Sequence, residues 1–316
     1  MTILITGGGG MVGRNLLVMA PSLHRILAPP RAELDLRDEA ALSRYLSRHR
    51  PDLIIHAAGR VGGIQANLDA PVDFLIENLE IGRNVILQAR DHGVARLLNL
   101  ASSCMYPRDC EEPLREEQIL TGELEPTNEG YALAKIVIAR LCVYINRQCR
   151  GLSYKTVIPC NLYGQFDKFD LRTSHLIPAT IVKIHEAQLA ARQEVTIWGD
   201  GRARREFLYA SDAAAMLWHA VERFDDLQPL LNLGAGRDHT VTEYYKATAE
   251  SLGYRGAFRY DLARPVGMKR KLLNCERMAQ LGFPAPRPLR EGIALTCSHF
   301  LAEVVPRAGA GAGVQS

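Results

Sequence analysis

No apolar run in this 316-residue sequence approaches the roughly 18 residues of a membrane span, which excludes a helical membrane protein. The stretch Thr2–Thr6 is too short for a secretory signal and lacks basic flanks, so a cytoplasmic location is expected. Seven cysteines are an odd number, and none forms a C-x-x-C pair. That argues against structural zinc and for a reduced compartment. An excess of one charge is missing too: the net charge is +3. The short basic clusters Arg202–Arg205 and Lys269–Lys271 have no interleaved aromatics, so nucleic acid is not an expected partner. There is no internal repeat and no Pro/Ser-rich linker. With 47% hydrophobic residues, the chain has ample material for one large domain or two. The run Ala308–Gly313 is low in complexity, and residues 304–316 are expected to form a disordered tail.

Thr2–Thr6 reads as a buried parallel strand, followed at once by Gly7, Gly10 and Gly13 and then a helix. The spacing departs from G-x-G-x-x-G, but the physics is shared. Glycines permit a tight turn and close approach to a pyrophosphate, and the helix N-terminus supplies N–H donors. Further strands are expected at 24–28, 52–59, 95–103 and 153–161. Helices are expected at 38–48, within 66–92, and after a turn at 125–130. This alternation predicts an α/β fold, a Rossmann-type doubly wound parallel sheet, over residues 1–165 with some later segments. Residues 166–303 are expected to form mainly a smaller C-terminal α/β substrate lobe. Its helices lie at 176–191 and 210–223 and its strands at 194–198, 205–209 and 230–233. The second strand ends at Pro29-Pro30-Arg31 without an acid, so Arg31 is suited to a ribose 2′-phosphate. That favours NADP over NAD, with Glu33–Leu36 flanking the adenine. His56, inside an apolar run, reads as core.

Tyr131 and Lys135 stand at i and i+4, on one helix face. An ammonium beside a phenol is expected to lower its pKa from about 10. Ser102, Ser103 and Cys104 end a strand, where open α/β sheets bind ligands. Each has a structural alternative: free cysteines are often small buried hydrophobes, His175 could cap the next helix, and Ser103 could bond only backbone. Cys142, Cys149 and Cys160 read as packing.

The glycine turn, Ser102 and Tyr131-x-x-x-Lys135 together resemble the extended short-chain dehydrogenase/reductase superfamily. A narrower resemblance is carried by Val61-Gly-Gly-Ile64, Ser102-Ser-Cys-Met-Tyr-Pro107, Leu124-Glu-Pro-Thr-Asn-Glu129, Tyr131-Ala-Leu-Ala-Lys-Ile136, Asn161-Leu-Tyr-Gly164, Ser174-His-Leu-Ile-Pro-Ala179, Trp198-Gly199 and Arg205-Glu-Phe-Leu208. These are similar to the GDP-L-fucose synthase family, over Thr2 to about Phe300. The resemblance implies NADPH-dependent epimerisation of GDP-4-keto-6-deoxy-D-mannose at C3 and C5, then reduction at C4. It implies that Cys104 removes a proton and His175 returns one. Ser102 and Tyr131 would hold the enolate oxygen, while Tyr131 protonates the C4 alkoxide and Lys135 tunes it. Thiolate and imidazole both titrate within reach of pH 7, which suits that exchange. Cofactor contacts are implied at Gly7, Gly10, Met11, Val12, Gly13, Arg31, Asp35, Leu36, Ala57, Ala58, Leu100, Ala101, Lys135, Pro159, Asn161, Leu162 and His175. Substrate contacts are implied at Ser103, Lys183, Trp198 and Arg205, with Arg270 and Lys271 as further candidate cations and no metal. A homodimer built on two long helices is also implied.

Several positions depart from that family pattern. Gly9 stands in place of a basic residue, Gly130 in place of a proline, and Val266 and Asn274 in place of aspartates. The last two open the identity of the sugar. A GDP-L-colitose-forming relative, in which only C5 is inverted, remains an alternative. A 4-epimerase that keeps NAD bound is disfavoured by Arg31 and by the Cys104/His175 pair. A non-catalytic member of the superfamily would typically lack the tyrosine or lysine.

Overall fold

The computed structural model describes residues 1–171, 173–264 and 267–306. The first half alternates strands and helices: β1 (Thr2–Thr6), α1 (Met11–Val18), β2 (Arg25–Leu27), α2 (Glu39–His49), β3 (Leu53–His56), α3 (Ile64–Asp69), α4 (Pro71–Asp91), β4 (Arg96–Leu100), α5 (Glu129–Gln148), β5 (Ser153–Pro159) and β6 (Asn161–Tyr163). The remainder comprises α6 (Leu176–Leu189), β7 (Glu194–Trp198), β8 (Arg204–Arg205), β9 (Phe207–Tyr209), α7 (Ala210–Glu222), β10 (Leu230–Leu233), β11 (His239–Thr240), α8 (Val241–Leu252), β12 (Ala257–Asp261), α9 (Glu276–Gln280) and α10 (Leu289–His299).

Six parallel strands form the central sheet, in the order β2-β1-β3-β4-β5-β10. Alternate residues of its strands feed two cores. Ile3 and Ile5 pack with Leu16 of α1 and Leu217 of α7, while Leu4 packs with Leu42, Leu46, Val85 and Ile86. A sheet covered on both faces needs continuous apolar runs, which is why these strands are not amphipathic. The chain leaves β1 for β2 on one side and returns to β3 on the other. This reversal opens a crevice beyond the carboxyl ends of β1 and β3. A second, smaller assembly packs α6, α8 and α10 around Ile177, Ile181, Phe207, Tyr244 and Ile293. It carries the parallel pairs β6/β9 and β7/β12 and the antiparallel pair β8/β11.

The long helix expected within 66–92 is α4, which starts after Ala70 (φ −143°, ψ 53°) because Pro71 is accommodated only at the start of a helix. One expectation requires correction: the tail does not begin at residue 304, since the chain stays helical through residue 306. The cause is Phe300, which is buried with its ring 5.0 Å from Phe169 and 5.2 Å from His185. Val304 and Val305 pack onto the same cluster. The Ala308–Gly313 run lies outside the described residues, as does Val266. Among the described residues no helix is long and apolar enough to cross a membrane.

A Cβ on Gly13 would lie 2.2 Å from Gly7 O and 2.6 Å from Gly8 Cα, so α1 sits hard against the turn that precedes it. Gly13→Ala is therefore expected to destabilise the fold by about 1–3 kcal/mol, read as a lowered midpoint in thermal denaturation. An unchanged midpoint would show that the turn has slack.

Candidate active site

The turn after β1 passes through Gly7 at φ +77°, where a Cβ would lie 2.7 Å from the Ala58 nitrogen beyond β3. Gly10 is the N-cap of α1 and makes no side-chain cap bond, so no cap side chain claims the N–H groups of Met11, Val12 and Gly13. Around Gly9 there is open space for 4 Å. A tight glycine turn, uncapped N–H groups and open room fit a dinucleotide pyrophosphate. Leu36 lies in the turn after β2, where Arg31 and Arg37 converge on Asp35 at 3.7 and 2.7 Å. Arg37 leads in pulling the Asp35 pKa down to about 2. Arg37 is a second guanidinium that the sequence reading passed over. Ala57, Ala58, Leu100, Ala101 and Pro159 lie at or just past the carboxyl ends of β3, β4 and β5, with Asn161 and Leu162 in β6.

Beyond β4 the chain turns sharply, with the Ser102 hydroxyl accepting from Cys104 N at 3.4 Å. The same hydroxyl also acts on the Tyr131 phenol and the Cys104 thiol, pulling both pKa values down. Tyr131 stands in the first turn of α5, and Lys135 one turn on donates from Nζ to Leu100 O at 3.2 Å. The Lys135 ammonium lies 5.7 Å from the centre of the Tyr131 ring. The expected lowering of the tyrosine pKa is not what this geometry yields. Burial, with the neighbouring Cys104, pushes the phenol above its ordinary value and outweighs the Ser102 hydrogen bond. Burial also lowers Lys135 to about 8. His56, hydrogen-bonded to Thr6 Oγ1 at 2.8 Å, is buried and lowered to about 3, in keeping with a core residue.

Burial dominates the other two candidates as well. It pushes the Cys104 thiol up, against the pull of Lys271 and the Ser102 hydrogen bond. It lowers His175 to about 4, so thiol and imidazole both rest neutral rather than titrating near pH 7. His175 occupies the N-cap of α6 but its side chain makes no cap bond, which separates it from the capping alternative.

A cleft of about 290 Å³ runs between the two assemblies. It is lined by His175, Lys183, Trp198, Arg205 and Lys271, together with Asn161, Glu125, Asn67 and Asn128. Trp198 is 39% exposed, with Lys183 Nζ and the Arg264 guanidinium each 5.1 Å from its ring centre. Burial lowers Lys271 to about 8, with Cys104 and Glu125 opposing. Two expectations fail here. Arg270 does not line the cleft; its guanidinium is taken by Asp238 at 2.5 Å and Glu112 at 3.2 Å. Asn274 does not line the cleft; its side chain accepts from Glu276 N at the start of α9. Ser103 is 2% exposed and does not line the cleft. Glu125, Asn67 and Asn128 were missed in the sequence, although the motif 124–129 contains two of them.

The sequence profile of the NAD dependent epimerase/dehydratase family matches residues 3–234. GDP-L-colitose synthase of Yersinia pseudotuberculosis is 51% identical over 304 residues, covering 96% of this chain and 99% of that one. GDP-L-fucose synthase of Azorhizobium caulinodans is 47% identical over 300 residues, covering 95% and 96%. Among solved structures, a GDP-mannoheptose C4 reductase from Campylobacter jejuni with NADP bound superposes with a TM-score of 0.86 at 28% identity, covering 95% and 98%.

The lowered His175 pKa gives a direct check. Its ring resonances are expected to titrate with a midpoint near 4 in NMR, leaving the imidazole neutral from pH 5 upward. A midpoint near 6.5 would place the ring in solvent.

Proposed function

The chain belongs to the NAD dependent epimerase/dehydratase family, and from that premise we propose that it is an NADPH-dependent epimerase/reductase converting GDP-4-keto-6-deoxy-D-mannose to GDP-L-fucose. The observation that carries this reading is the strand-end placement of Ser102, whose hydroxyl accepts from Cys104 N at 3.4 Å and acts on both the Tyr131 phenol and the Cys104 thiol. A ketone oxygen held by Ser102 and Tyr131 makes the neighbouring C–H bonds acidic, because the enolate charge falls on hydrogen-bond donors.

Cys104 and His175 hold one proton between them. With that proton on His175, the pair is a thiolate base and an imidazolium acid, at the same net charge as the resting state. The Lys271 charge favours the thiolate. Cys104 removes a proton beside the ketone and His175 returns one. The glycine turn and Arg31 suit NADP(H), which supplies hydride to C4. Tyr131, kept neutral by burial, then gives its proton to the C4 oxygen while Lys135 holds the end of β4. Lys183, Arg205 and Lys271 support a diphosphate and Trp198 a nucleobase. Exposed Val72 and Ile76 on α4, with Val137 and Tyr144 on α5, support a homodimer through these neighbouring helices.

A second reading, C5-only inversion on a 3-deoxy sugar as in GDP-L-colitose formation, is favoured by the 51% identity to a GDP-L-colitose synthase. NADPH oxidation in D₂O with GDP-4-keto-6-deoxymannose, followed by NMR and mass analysis, separates the two. Label at C3 and C5 is expected, and label at C5 alone would move the assignment to the second reading. Cys104→Ser is expected to slow label incorporation by about 10²–10⁴-fold with NADPH affinity unchanged. Equal rates would remove the thiol from the chemistry. Arg31→Ala is expected to raise the KM for NADPH and leave that for NADH unaltered. A matched rise in both would deny the 2′-phosphate contact.

A further inference from the structure

His175 stands one residue past a segment, 168–174, that is tied to both parts of the molecule. Phe169 roots the segment in the smaller assembly, with its ring 5.0 Å from Phe300. The residue before it points the other way: Lys168 Nζ donates to Val61 O at 3.2 Å, in the loop after β3. A second tie joins the same two loops, from Gly63 N to Thr173 O at 3.0 Å. There the backbones are in close contact, since a Cβ on Gly63 would lie 2.6 Å from Ser174 O. Gly62 and Gly63 line the cleft from one loop, and Ser174 and His175 from the other.

Between these ties the segment is bonded to itself. Ser174 Oγ donates to Lys168 O at 2.5 Å and accepts from Asp170 N at 2.8 Å. Asp170 Oδ1 accepts from Thr173 N and Thr173 Oγ1, both at 3.0 Å. A segment bonded this way moves as one body, so the Lys168 bond at one end and the Gly63 bond at the other set where the next residue delivers its imidazole. The Gly63 bond is backbone to backbone. The Lys168 bond is made by a side chain, and its charge has a second effect. It adds to burial in lowering the His175 pKa, and it opposes the burial that raises the Asp167 carboxyl to about 7.

We propose that Lys168 is a positioning residue for the proton-returning step: its bond to the Val61 carbonyl clasps the 168–174 segment to the loop after β3 and so fixes where His175 stands in the cleft. This rests on the reading of His175 as the acid of a keto-sugar epimerase, and it holds for C3/C5 and for C5-only inversion alike. Lys168 itself touches no reacting atom; it acts through the imidazole. An acid displaced by about 1 Å from its proton acceptor loses on the order of 10²-fold in rate.

The test follows deuterium entry from D₂O into GDP-4-keto-6-deoxymannose with NADP⁺ bound, so that no hydride is available and proton exchange alone is read. Lys168→Met is expected to lower kcat for exchange about tenfold or more with KM changed less than about twofold, and Lys168→Arg to recover most of the rate. The His175 ring midpoint in NMR should rise in Lys168→Met, because a nearby cation is removed, and return in Lys168→Arg. Thermal melts check each variant. If Lys168→Met melts low, Lys168→Gln, with a shorter donor and no charge, decides by the same readouts. A wild-type exchange rate in the uncharged variant overturns the inference. So does a slowed rate with an unmoved His175 midpoint, which puts the effect elsewhere, or a raised KM at constant kcat, which makes Lys168 a substrate contact. No exchange by the wild type would overturn the proposed function itself, and shows before any substitution is made.

Discussion

The site depends on desolvation at the carboxyl end of β4. Burial pushes the Tyr131 phenol and Cys104 thiol up, and the Lys135, Lys271 and His175 pKa values down. Each shift favours the neutral form. A phenol, thiol and imidazole that rest neutral differ from an array of fixed charges, because they act on charge only as charge develops in the substrate. The Ser102 hydroxyl accepts from Cys104 N and pulls the phenol and thiol pKa values down against that burial. The helix α5 then brings Lys135 down onto Leu100 O, beneath the same strand end.

Around these neutral groups, charges perform a structural task. Asp238, with a side chain 4% exposed, takes Arg204 and Arg270, and Glu112 joins Arg270 from the other side. Glu206 is 1% exposed and accepts from Gly236 N at 2.7 Å and Leu273 N at 2.9 Å. Burial still raises its carboxyl to about 7, despite those hydrogen bonds. A buried carboxylate is tolerated only with partners. Here the partners pin the segment from Arg270 to Leu273, and so place Lys271 between them in the cleft wall. Arg270 therefore anchors the wall from behind, next to a lysine that faces the cleft.

The order of elements was legible because hydrophobic period and glycine placement are local signals. Buried runs such as Leu53–His56, and the turn Gly7–Gly13, announce a doubly wound sheet without long-range information. The Ser102, Cys104, Tyr131 and Lys135 cluster was legible as motifs and as strand-end positions. Long-range effects were not legible. The pairing of Arg270 with Asp238 spans 32 residues, and the reversal of the expected Tyr131 shift comes from burial that no i, i+4 spacing reports. The ordering of residues 300–306 depends on Phe169, far away in sequence. Asn67 stood unnoticed because an asparagine on a short helix has no signal of its own until the fold sets it in the cleft wall.

The most direct test concerns the shared hydroxyl. In Ser102→Ala, deuterium entry beside the ketone and NADPH oxidation would be followed in one reaction. Because one hydrogen-bonding node serves the enolate and the alkoxide, both rates should fall together, each by about 10²-fold or more. If either step kept its wild-type rate while the other collapsed, the two reactions would not share Ser102 as their common support.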